Sequence, residues 1–243
     1  MQQFVDIHIH ILFGTDDGAQ KIEQMQEMLD MAYQDGTRYI CATPHYFPQI
    51  FGENQESANQ AYAALEEYAR KYPDLKLYRG NELYYTQENL QAAFESKCFR
   101  MADSRYLLLE FDPEIGFFDM RAALSSVAGR GMIPLLAHAE RYDCLYKDAQ
   151  RLDSLRYEER VCFQVNASSL LGNWGRKCAK FAAFLIKHGY ACAIASDAHG
   201  VEHRKPILSE GYAFVSRKFG EETAQKLFYQ NPLRILENKS LSR

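Results

Sequence analysis

Short apolar runs alternate with amphipathic segments along the whole chain. Seven runs rich in apolar and β-branched residues have the length of buried strands, and they cover residues 4–9, 38–42, 75–78, 106–111, 132–137, 161–165 and 192–195. Between them, apolar residues recur with helical spacing over residues 22–33, 58–69, 87–95, 118–129, 176–188 and 209–228. Gly36 ends the first helix, and a short last helix starts at Asn231. Strands that alternate with helices predict parallel strands with right-handed crossovers, hence an α/β sheet or a closed or nearly closed barrel.

Polar side chains that can bind a metal or move a proton lie at or just after the end of nearly every predicted strand. They are Asp6, His8, His10, His45, Glu82, Glu110, His138, Asn166, Asp197 and His199. A barrel brings the carboxyl ends of its strands to one mouth, whereas an open sheet spreads them in a line. The pattern therefore favours a barrel, and seven strands instead of eight predict a distorted one.

The first strand carries the strongest single signal, the segment Asp6-Ile7-His8-Ile9-His10. Side chains two residues apart on a strand share a face, so the aspartate and both histidines lie on one side. Two imidazoles on one face suit a metal ion. We favour that interpretation over the alternative, a surface strand with a polar outer face.

Other candidate ligands come from the remaining strand ends. The carboxylates Glu82, Glu110 and Asp197 follow or end apolar strands, where an unpaired charge is costly unless a cation compensates it. Together with the histidines they exceed what one metal needs, which implies two or three metal ions. Mixed nitrogen and oxygen ligands without thiolate suit manganese, iron or zinc. Asp17 directly precedes the first helix, and spacing alone favours a helix N-cap there.

Two arginines follow candidate ligands closely. Arg141 lies three residues after His138, and Arg204 lies five residues after His199. A guanidinium beside several metal ions is well shaped for the remaining oxygens of a phosphate group. We favour such a clamp over the alternative of solvated loop arginines.

Composition limits the classes of function. The chain has 243 residues, of which 47% are hydrophobic and 25% charged, and a formal net charge of -4, which is typical of a globular protein and argues against nucleic-acid binding. No linker or repeat divides it, which predicts one domain over residues 1–243. No apolar stretch is long enough for a bilayer and no basic segment precedes Lys21, so we expect no membrane insertion and a cytoplasmic location. The oligomeric state stays open.

The cysteines do not support thiolate chemistry. A cysteine-based phosphatase loop needs an arginine six positions after its nucleophile, and none of the six cysteines has one. Their spacing also includes no pair typical of a zinc site. Buried reduced thiols are the better interpretation.

Six segments together resemble a known superfamily. They are DIHIHIL (6–12), DDGA (16–19), ATPH (42–45), GNELY (80–84), AHAERY (137–142) and ASDAH (195–199). This set resembles the polymerase and histidinol phosphatase (PHP) superfamily, and more narrowly its bacterial tyrosine-protein phosphatases of capsule and exopolysaccharide operons, the CpsB/YwqE type. The resemblance implies a distorted (β/α)7 TIM-like barrel, a trinuclear and usually manganese-dependent centre, and a phosphotyrosine-containing bacterial tyrosine kinase as substrate.

The resemblance also implies roles for individual residues. Carried over by position, the three implied metal-ligand sets are His8, His10, Glu82 and Asp197; Glu82, Glu110 and His138; and Asp17, His45 and His199. Arg141 and Arg204 match arginines that contact the phosphate. Two alternatives stay open: a phosphatase for a small metabolite such as histidinol phosphate, and a non-catalytic binding module stabilised by metal.

An aromatic segment follows one candidate ligand. Residues 45–51, with the sequence HYFPQIF, could form an apolar rim for a phenyl ring. Simple packing of a loop explains the same residues equally well, and the sequence does not separate the two.

Overall fold

The computed structural model describes residues 2–241. Within them the strands are β1 (Phe4–Ile9), β2 (Thr37–Ala42), β3 (His45–Tyr46), β4 (Lys76–Arg79), β5 (Glu82–Tyr84), β6 (Tyr106–Glu110), β7 (Ile133–Leu136), β8 (Cys162–Asn166) and β9 (Ala191–Ala195). The helices are α1 (Ile22–Asp35), α2 (Pro48–Phe51), α3 (Gln55–Ala69), α4 (Gln87–Phe94), α5 (Phe117–Gly129), α6 (Ala149–Asp153), α7 (Ala167–Leu170), α8 (Gly175–Lys187), α9 (Ser209–Phe219), α10 (Glu221–Gln225) and α11 (Asn231–Leu236). Strands and helices alternate as the sequence predicts.

The strands form two parallel sheets. One has the order β1-β2-β4 and the other the order β3-β5-β6-β7-β8-β9, and every neighbouring pair is parallel. The prediction of an α/β fold with parallel strands is confirmed. The strand hydrogen bonds of residues 2–241 do not form one continuous ring, however, so the closed barrel itself is not seen in the ladder pattern.

Two short strands were missing from the sequence prediction, β3 and β5. Each continues the direction of the strand before it after an interruption of two residues, at Thr43–Pro44 and at Gly80–Asn81. Pro44 has no N–H for a ladder, and its carbonyl instead accepts the Asn81 side-chain amide (3.0 Å) and the Glu82 N–H (3.1 Å). At each interruption the chain passes from the first sheet to the second, from β2 to β3 and from β4 to β5.

The free edges of the two sheets meet where β1 and β9 end. Ile9 forms a parallel bridge with Ala198, the N–H of His10 donates to the Ala198 carbonyl (2.9 Å), and the N–H of Asp197 donates to the His8 carbonyl (2.8 Å). These bonds hold the first candidate ligands next to the last ones.

The long helices agree with the sequence except at one point, and the short helices α2, α6 and α7 are additional to the prediction. Helix α1 ends at Gly36, whose φ of 112° is in the left-handed region. The single helix predicted over 209–228 is wrong, because Gly220 has a φ of 96° and separates α9 from α10. Among residues 2–241, no helix combines the length and the apolar character that crossing a membrane requires.

Candidate metal centre

The carboxyl ends of the parallel strands bring all nine candidate ligands to one place. His8 lies in β1 and His10 directly follows it, while His45 belongs to β3, Glu82 to β5 and Glu110 to β6. The other four lie in loops that follow strands: Asp17 after β1, His138 after β7, and Asp197 and His199 after β9. Each of the nine has a nitrogen or oxygen within 3.6 Å of one belonging to another member. The convergence expected from the strand ends is present.

The first group contains His8, His10, Glu82 and Asp197, whose ligand atoms all lie within 4.8 Å of one another. The Nε2 atoms of the two histidines are 3.2 Å apart. Both face Glu82 Oε2, at 3.1 and 3.2 Å, and Asp197 Oδ1, at 3.5 and 3.6 Å. All four side chains are buried, as is every residue of β1. The alternative of a surface strand is therefore excluded.

The far nitrogens of these histidines reveal why the group fits a cation. His8 Nδ1 lies 3.1 Å from Gln164 Oε1, and His10 Nδ1 lies 2.7 Å from Asp16 Oδ2. Because both partners are acceptors, each Nδ1 carries a hydrogen, and each Nε2 presents a lone pair when its imidazole is neutral. Two lone pairs and two carboxylate oxygens then converge without a donor between them, an arrangement that needs positive charge at its centre.

The second group surrounds Glu82 and Glu110. His45 Nδ1 lies 3.2 Å from Glu82 Oε2 and 3.6 Å from Glu110 Oε2. His138 Nε2 lies 3.0 Å from Glu82 Oε1 and 3.3 Å from Glu110 Oε1. Glu82 thus contacts both groups with its two oxygens, as a carboxylate that bridges two cations does.

The third group contains His10, Asp17, His45 and His199. Asp17 Oδ1 lies 3.3 Å from His199 Nε2 and 3.5 Å from His45 Nε2. The N-cap interpretation of Asp17 is wrong, because α1 begins at Ile22 with Lys21 as its N-cap. The turn over 16–19 instead folds back onto β1, where the Ala19 N–H donates to the His10 carbonyl (3.1 Å).

Several buried polar atoms in these groups have no hydrogen-bond partner within residues 2–241. Those on the imidazoles are His45 Nδ1, His138 Nδ1 and His199 Nε2. His45 Nδ1 and His199 Nε2 nevertheless lie 3.2 and 3.3 Å from carboxylate oxygens. Short contacts without hydrogen-bond angles are what two ligand atoms of one cation show, so the residues fit a divalent metal ion.

Burial and charge oppose each other at the centre. Burial disfavours the ionised form of Glu82, yet His8 and His45 outweigh it, and the pKa of Glu82 is well below its ordinary value. Burial lowers the pKa of His138 and its carboxylate hydrogen bonds raise it, with a net result of about 9. A cation that binds here takes the place of protons held by imidazoles, so its affinity increases with pH.

Two supporting residues were not identified from the sequence, Asp16 and Gln164. Asp16 Oδ2 accepts from the His45 N–H at 2.8 Å besides its contact with His10. Gln164 Oε1 accepts from the His138 N–H at 2.9 Å besides its contact with His8. Gln164 is a polar residue on a buried strand, two positions before Asn166 and on the same face. That spacing was the one signal for Gln164 in the sequence.

Asp6 and Asn166, which the sequence placed among the polar strand ends, act behind the ligand candidates. Asp6 accepts from the Ser196 N–H (3.1 Å) and hydroxyl (2.5 Å), and burial raises its pKa to about 6. The Asn166 side chain donates to Asp197 Oδ2 at 2.6 Å. Asp197 itself has a φ of 52°, a strained conformation for a residue with a side chain, so these contacts hold it in place.

Arg141 and Arg204 both reach the centre. The Nη2 atom of Arg141 donates to Asp197 Oδ2 and that of Arg204 to Asp197 Oδ1, each at 2.8 Å. Burial opposes ionisation of Asp197, but His8 and the two guanidiniums hold its pKa well below the ordinary range. The indole of Trp174 lies 3.8 Å from the guanidinium carbon of Arg141 and 5.7 Å from that of Arg204. Within residues 2–241, the buried Nε atoms of both arginines have no acceptor.

Replacing Gly18 by alanine is expected to damage the centre. A Cβ there would lie 2.1 Å from the His10 carbonyl oxygen and 2.5 Å from His10 Cβ, so the backbone must shift. We expect a loss of about 1–3 kcal/mol in the free energy of unfolding, together with reduced metal content. Denaturant unfolding and elemental analysis measure the two effects. Gly129→Ala is the matched control because its Cβ meets nothing within 4 Å; equal behaviour of the two variants would contradict the interpretation.

Comparison with known proteins adds a family and a set of relatives. The family model described as capsular polysaccharide synthesis, CpsB/CapC, matches residues 4–237. The tyrosine-protein phosphatase CpsB of Streptococcus pneumoniae is 29% identical over 237 residues, covering 96% of this chain and 98% of the relative. CpsB of Streptococcus agalactiae is 30% identical over 241 residues, covering 96% and 98%. The tyrosine-protein phosphatase YwqE of Bacillus subtilis is 28% identical over 251 residues, covering 98% and 94%.

A solved structure agrees with these relatives. It is one of the crystal structures of YwqE from Bacillus subtilis and CpsB from Streptococcus pneumoniae, which are described as unique metal-dependent tyrosine phosphatases. It superimposes with a TM-score of 0.89 at 28% sequence identity and covers 98% of this chain and 96% of its own.

Proposed function

The chain belongs to the CpsB/CapC family of capsular polysaccharide synthesis proteins, and from this premise we propose that it is a metal-dependent tyrosine-protein phosphatase. The observation that carries the proposal is the convergence of five histidines and four carboxylates on one mouth beside two arginines. Two relatives named as tyrosine-protein phosphatases align with nearly the whole chain. The chemistry is that of phosphoric monoester hydrolysis without a cysteine nucleophile.

The metal ligands in this proposal are the nine converging residues. His8, His10, Glu82 and Asp197 hold one ion, and Glu82, Glu110 and His138 a second; Asp17, His45 and His199 hold a third. His10 also lies among the ligand atoms of the third group, and His45 among those of the second. Oxygen and imidazole donors without thiolate suit manganese, and Mn2+ is the ion we assign, ahead of iron or zinc.

The protein's own groups bind and orient the phosphoryl group. Divalent ions in such a site supply positive charge to the phosphoryl oxygens and lower the pKa of water. Arg141 and Arg204 extend from the same mouth, and each has a buried Nε–H without an acceptor in residues 2–241. We assign these donors to the non-bridging oxygens of the phosphate, which gain charge in the transition state. Asp197 fixes both guanidiniums, and Trp174 covers the Arg141 plane.

The finer fold assignment is also a proposal. We infer a distorted (β/α)7 barrel of the PHP type, in which β2 continues into β3 and β4 into β5, and residues 1–243 act as one domain. The bridge from Ile9 to Ala198 supports this view, since it joins the free edge of one sheet to that of the other. A closed arrangement explains why ligands from β1 and from the loop after β9 share one cation site.

The family supports a proposal for the physiological setting. We propose a phosphorylated bacterial tyrosine kinase of capsule or exopolysaccharide synthesis as the substrate, with the reaction in the cytoplasm. Hydrolysis of a phenolic ester suits this centre because a phenol has a pKa of about 10, so a phenolate leaves more easily than an alkoxide.

The proposed function is tested by comparing substrates in the metal-loaded and metal-free states. We expect a phosphotyrosine peptide to be hydrolysed far faster than histidinol phosphate, a chelator to abolish the reaction, and Mn2+ to restore it. Preference for histidinol phosphate would identify a small-molecule phosphatase instead. Binding of metal without turnover of any phosphoester would indicate a non-catalytic module.

The aromatic segment beside His45 provides a candidate rim for the substrate. The ring of Phe51 stacks on His45 with centroids 5.6 Å apart, and that of Phe47 stacks on Tyr84 at 4.2 Å. Both phenylalanines are half-buried, so each leaves part of its ring accessible near the mouth. This placement supports a rim over simple loop packing.

Replacing Phe47 and Phe51 by alanine is expected to raise KM for a phosphotyrosine peptide by about 3–10-fold, the effect of losing one or two aromatic contacts. The inhibition constant of inorganic phosphate, which has no ring, should change little. Steady-state kinetics with both ligands measure this difference. Tyr157→Ala, which removes a ring that is 55% exposed elsewhere, serves as the control. Equal changes for peptide and phosphate would show that the segment only packs the loop.

A further inference from the structure

A second cavity lies at the opposite end of the strands from the metal centre. We call it the basal pocket, defined by its four cationic side chains, Arg105, Arg156, Arg160 and Lys226. Its volume is about 290 Å³. The first residues of β6, β7, β8 and β9 line it, whereas the last residues of β6 and β8 and the loops after β7 and β9 reach the metal centre. Strands of four to five residues span roughly 15 Å, so the two sites are separate.

The charge of the basal pocket is unusual for this chain. The formal net charge of the protein is -4, yet the pocket collects four cations and no lining residue is acidic. In the part of the chain that the structure describes, no ion pair joins any of the four to a carboxylate. Like charges gathered around one cavity repel one another, and their fields add on an anion that binds there.

Internal contacts use only part of the donors. Arg156 Nη1 donates to the Gly189 carbonyl after α8 (2.8 Å), and Arg105 Nε donates to Asn238 Oδ1 (3.1 Å). Capping of the end of α8 thus accounts for one N–H group of Arg156. The side chains of Arg160 and Lys226 make no hydrogen bond within residues 2–241. Most of the N–H donors of the four side chains therefore have no acceptor within residues 2–241.

We propose that the basal pocket binds a small anion that carries a diphosphate group. Guanidinium forks match phosphate oxygens in pairs, and four cations balance the three to four charges of a diphosphate. The volume is at the lower end of the range of small-molecule sites, which suits a mononucleotide or an inorganic diphosphate rather than a macromolecule. Tyr190 and Met132 supply apolar wall for an organic part of the ligand.

The test uses the full, metal-loaded protein and four probes: inorganic pyrophosphate, ADP, UDP and adenosine. Calorimetric titration at physiological salt should detect binding of pyrophosphate or of the nucleotides to the protein. Adenosine, which has no phosphate, should not bind. Arg160→Gln combined with Lys226→Gln should weaken binding at least about tenfold, because each charged hydrogen bond is worth about that factor. If pyrophosphate binds as tightly as ADP, the ligand of the basal pocket is inorganic diphosphate. If the nucleotides bind more tightly than pyrophosphate, the pocket also recognises the nucleoside.

Two controls locate the binding. Arg217→Gln combined with Lys218→Gln removes the same charge from the exposed end of α9 and should leave binding unchanged. Arg141→Ala alters the metal centre and should leave it unchanged too. The Arg160/Lys226 variant should keep normal phosphatase activity and thermal stability, because its two side chains are exposed and make no contact that folding needs.

A local probe gives an independent readout. Cys162 lines the basal pocket and is half-buried, whereas Cys144 is half-buried outside it. ADP or pyrophosphate should slow alkylation of Cys162 but not of Cys144, measured by mass spectrometry. The proposal is overturned if none of the anions binds, if Arg141→Ala abolishes binding while the Arg160/Lys226 variant retains it, or if Cys162 receives no protection.

Discussion

Glu82→Gln is expected to lower kcat/KM for a phosphotyrosine peptide by at least about a thousandfold, the factor for a loss of about 4 kcal/mol of transition-state stabilisation. The reason is the position of this carboxylate between two groups of candidate ligands. Glu82 Oε2 lies 3.1 to 3.2 Å from His8, His10 and His45, and Oε1 lies 3.0 Å from His138. An amide of the same shape has no charge to bridge two cations.

The expected mechanism of this loss is reduced metal content, which elemental analysis of the purified variant measures beside the kinetics. Glu222→Gln is the matched control, since it removes one carboxylate charge from an exposed position on α10. We expect that control to keep full metal content and activity. A Glu82 variant that retains both would show that this carboxylate does not hold metal.

Arg141→Ala is expected to reduce kcat/KM by about 100- to 1,000-fold while the metal ions stay bound, which is the usual effect of removing one donor that stabilises transition-state charge. Asp197 keeps its contacts with Arg204 (2.8 Å) and Asn166 (2.6 Å), so its position as a ligand does not depend on Arg141 alone. Arg141→Lys should recover only part of the activity, because an ammonium cannot grip two oxygens side by side.

Metal analysis and kinetics on the same preparation separate the two roles that Arg141 could have. Arg217→Ala, at an exposed position of α9, is the control for loss of a surface guanidinium. If metal content falls together with activity in Arg141→Ala, the arginine supports Asp197 rather than the phosphate, and its assignment to the clamp is wrong.

Local patterns in the sequence were sufficient to predict most ligand candidates. The alternation Asp6-Ile7-His8-Ile9-His10 places the two histidines on one side of β1, and the polar residues after other strands follow the rule that parallel strands end at one edge. These signals depend on the period of a strand and on its direction. Both are properties of a short segment, so they can be read without knowledge of the tertiary contacts.

Features that depend on distant contacts could not be predicted in this way. Asp17 lies just before a helix, and its role follows only from the fold of the 16–19 turn onto β1. The contact between His8 and Gln164 joins residues 156 positions apart. The break of the predicted helix at Gly220 depends on a positive φ, which glycine allows but does not require.

Anomalous diffraction from crystals grown with Mn2+ tests the central claim most directly, that imidazoles and carboxylates from the ends of separate strands hold divalent ions together. The account predicts at least two anomalous peaks in the mouth, each within about 2–2.5 Å of its ligand atoms, with one bounded by His8, His10, Glu82 and Asp197. A map without peaks there, combined with undiminished hydrolysis of the phosphotyrosine peptide by metal-free protein, would contradict it.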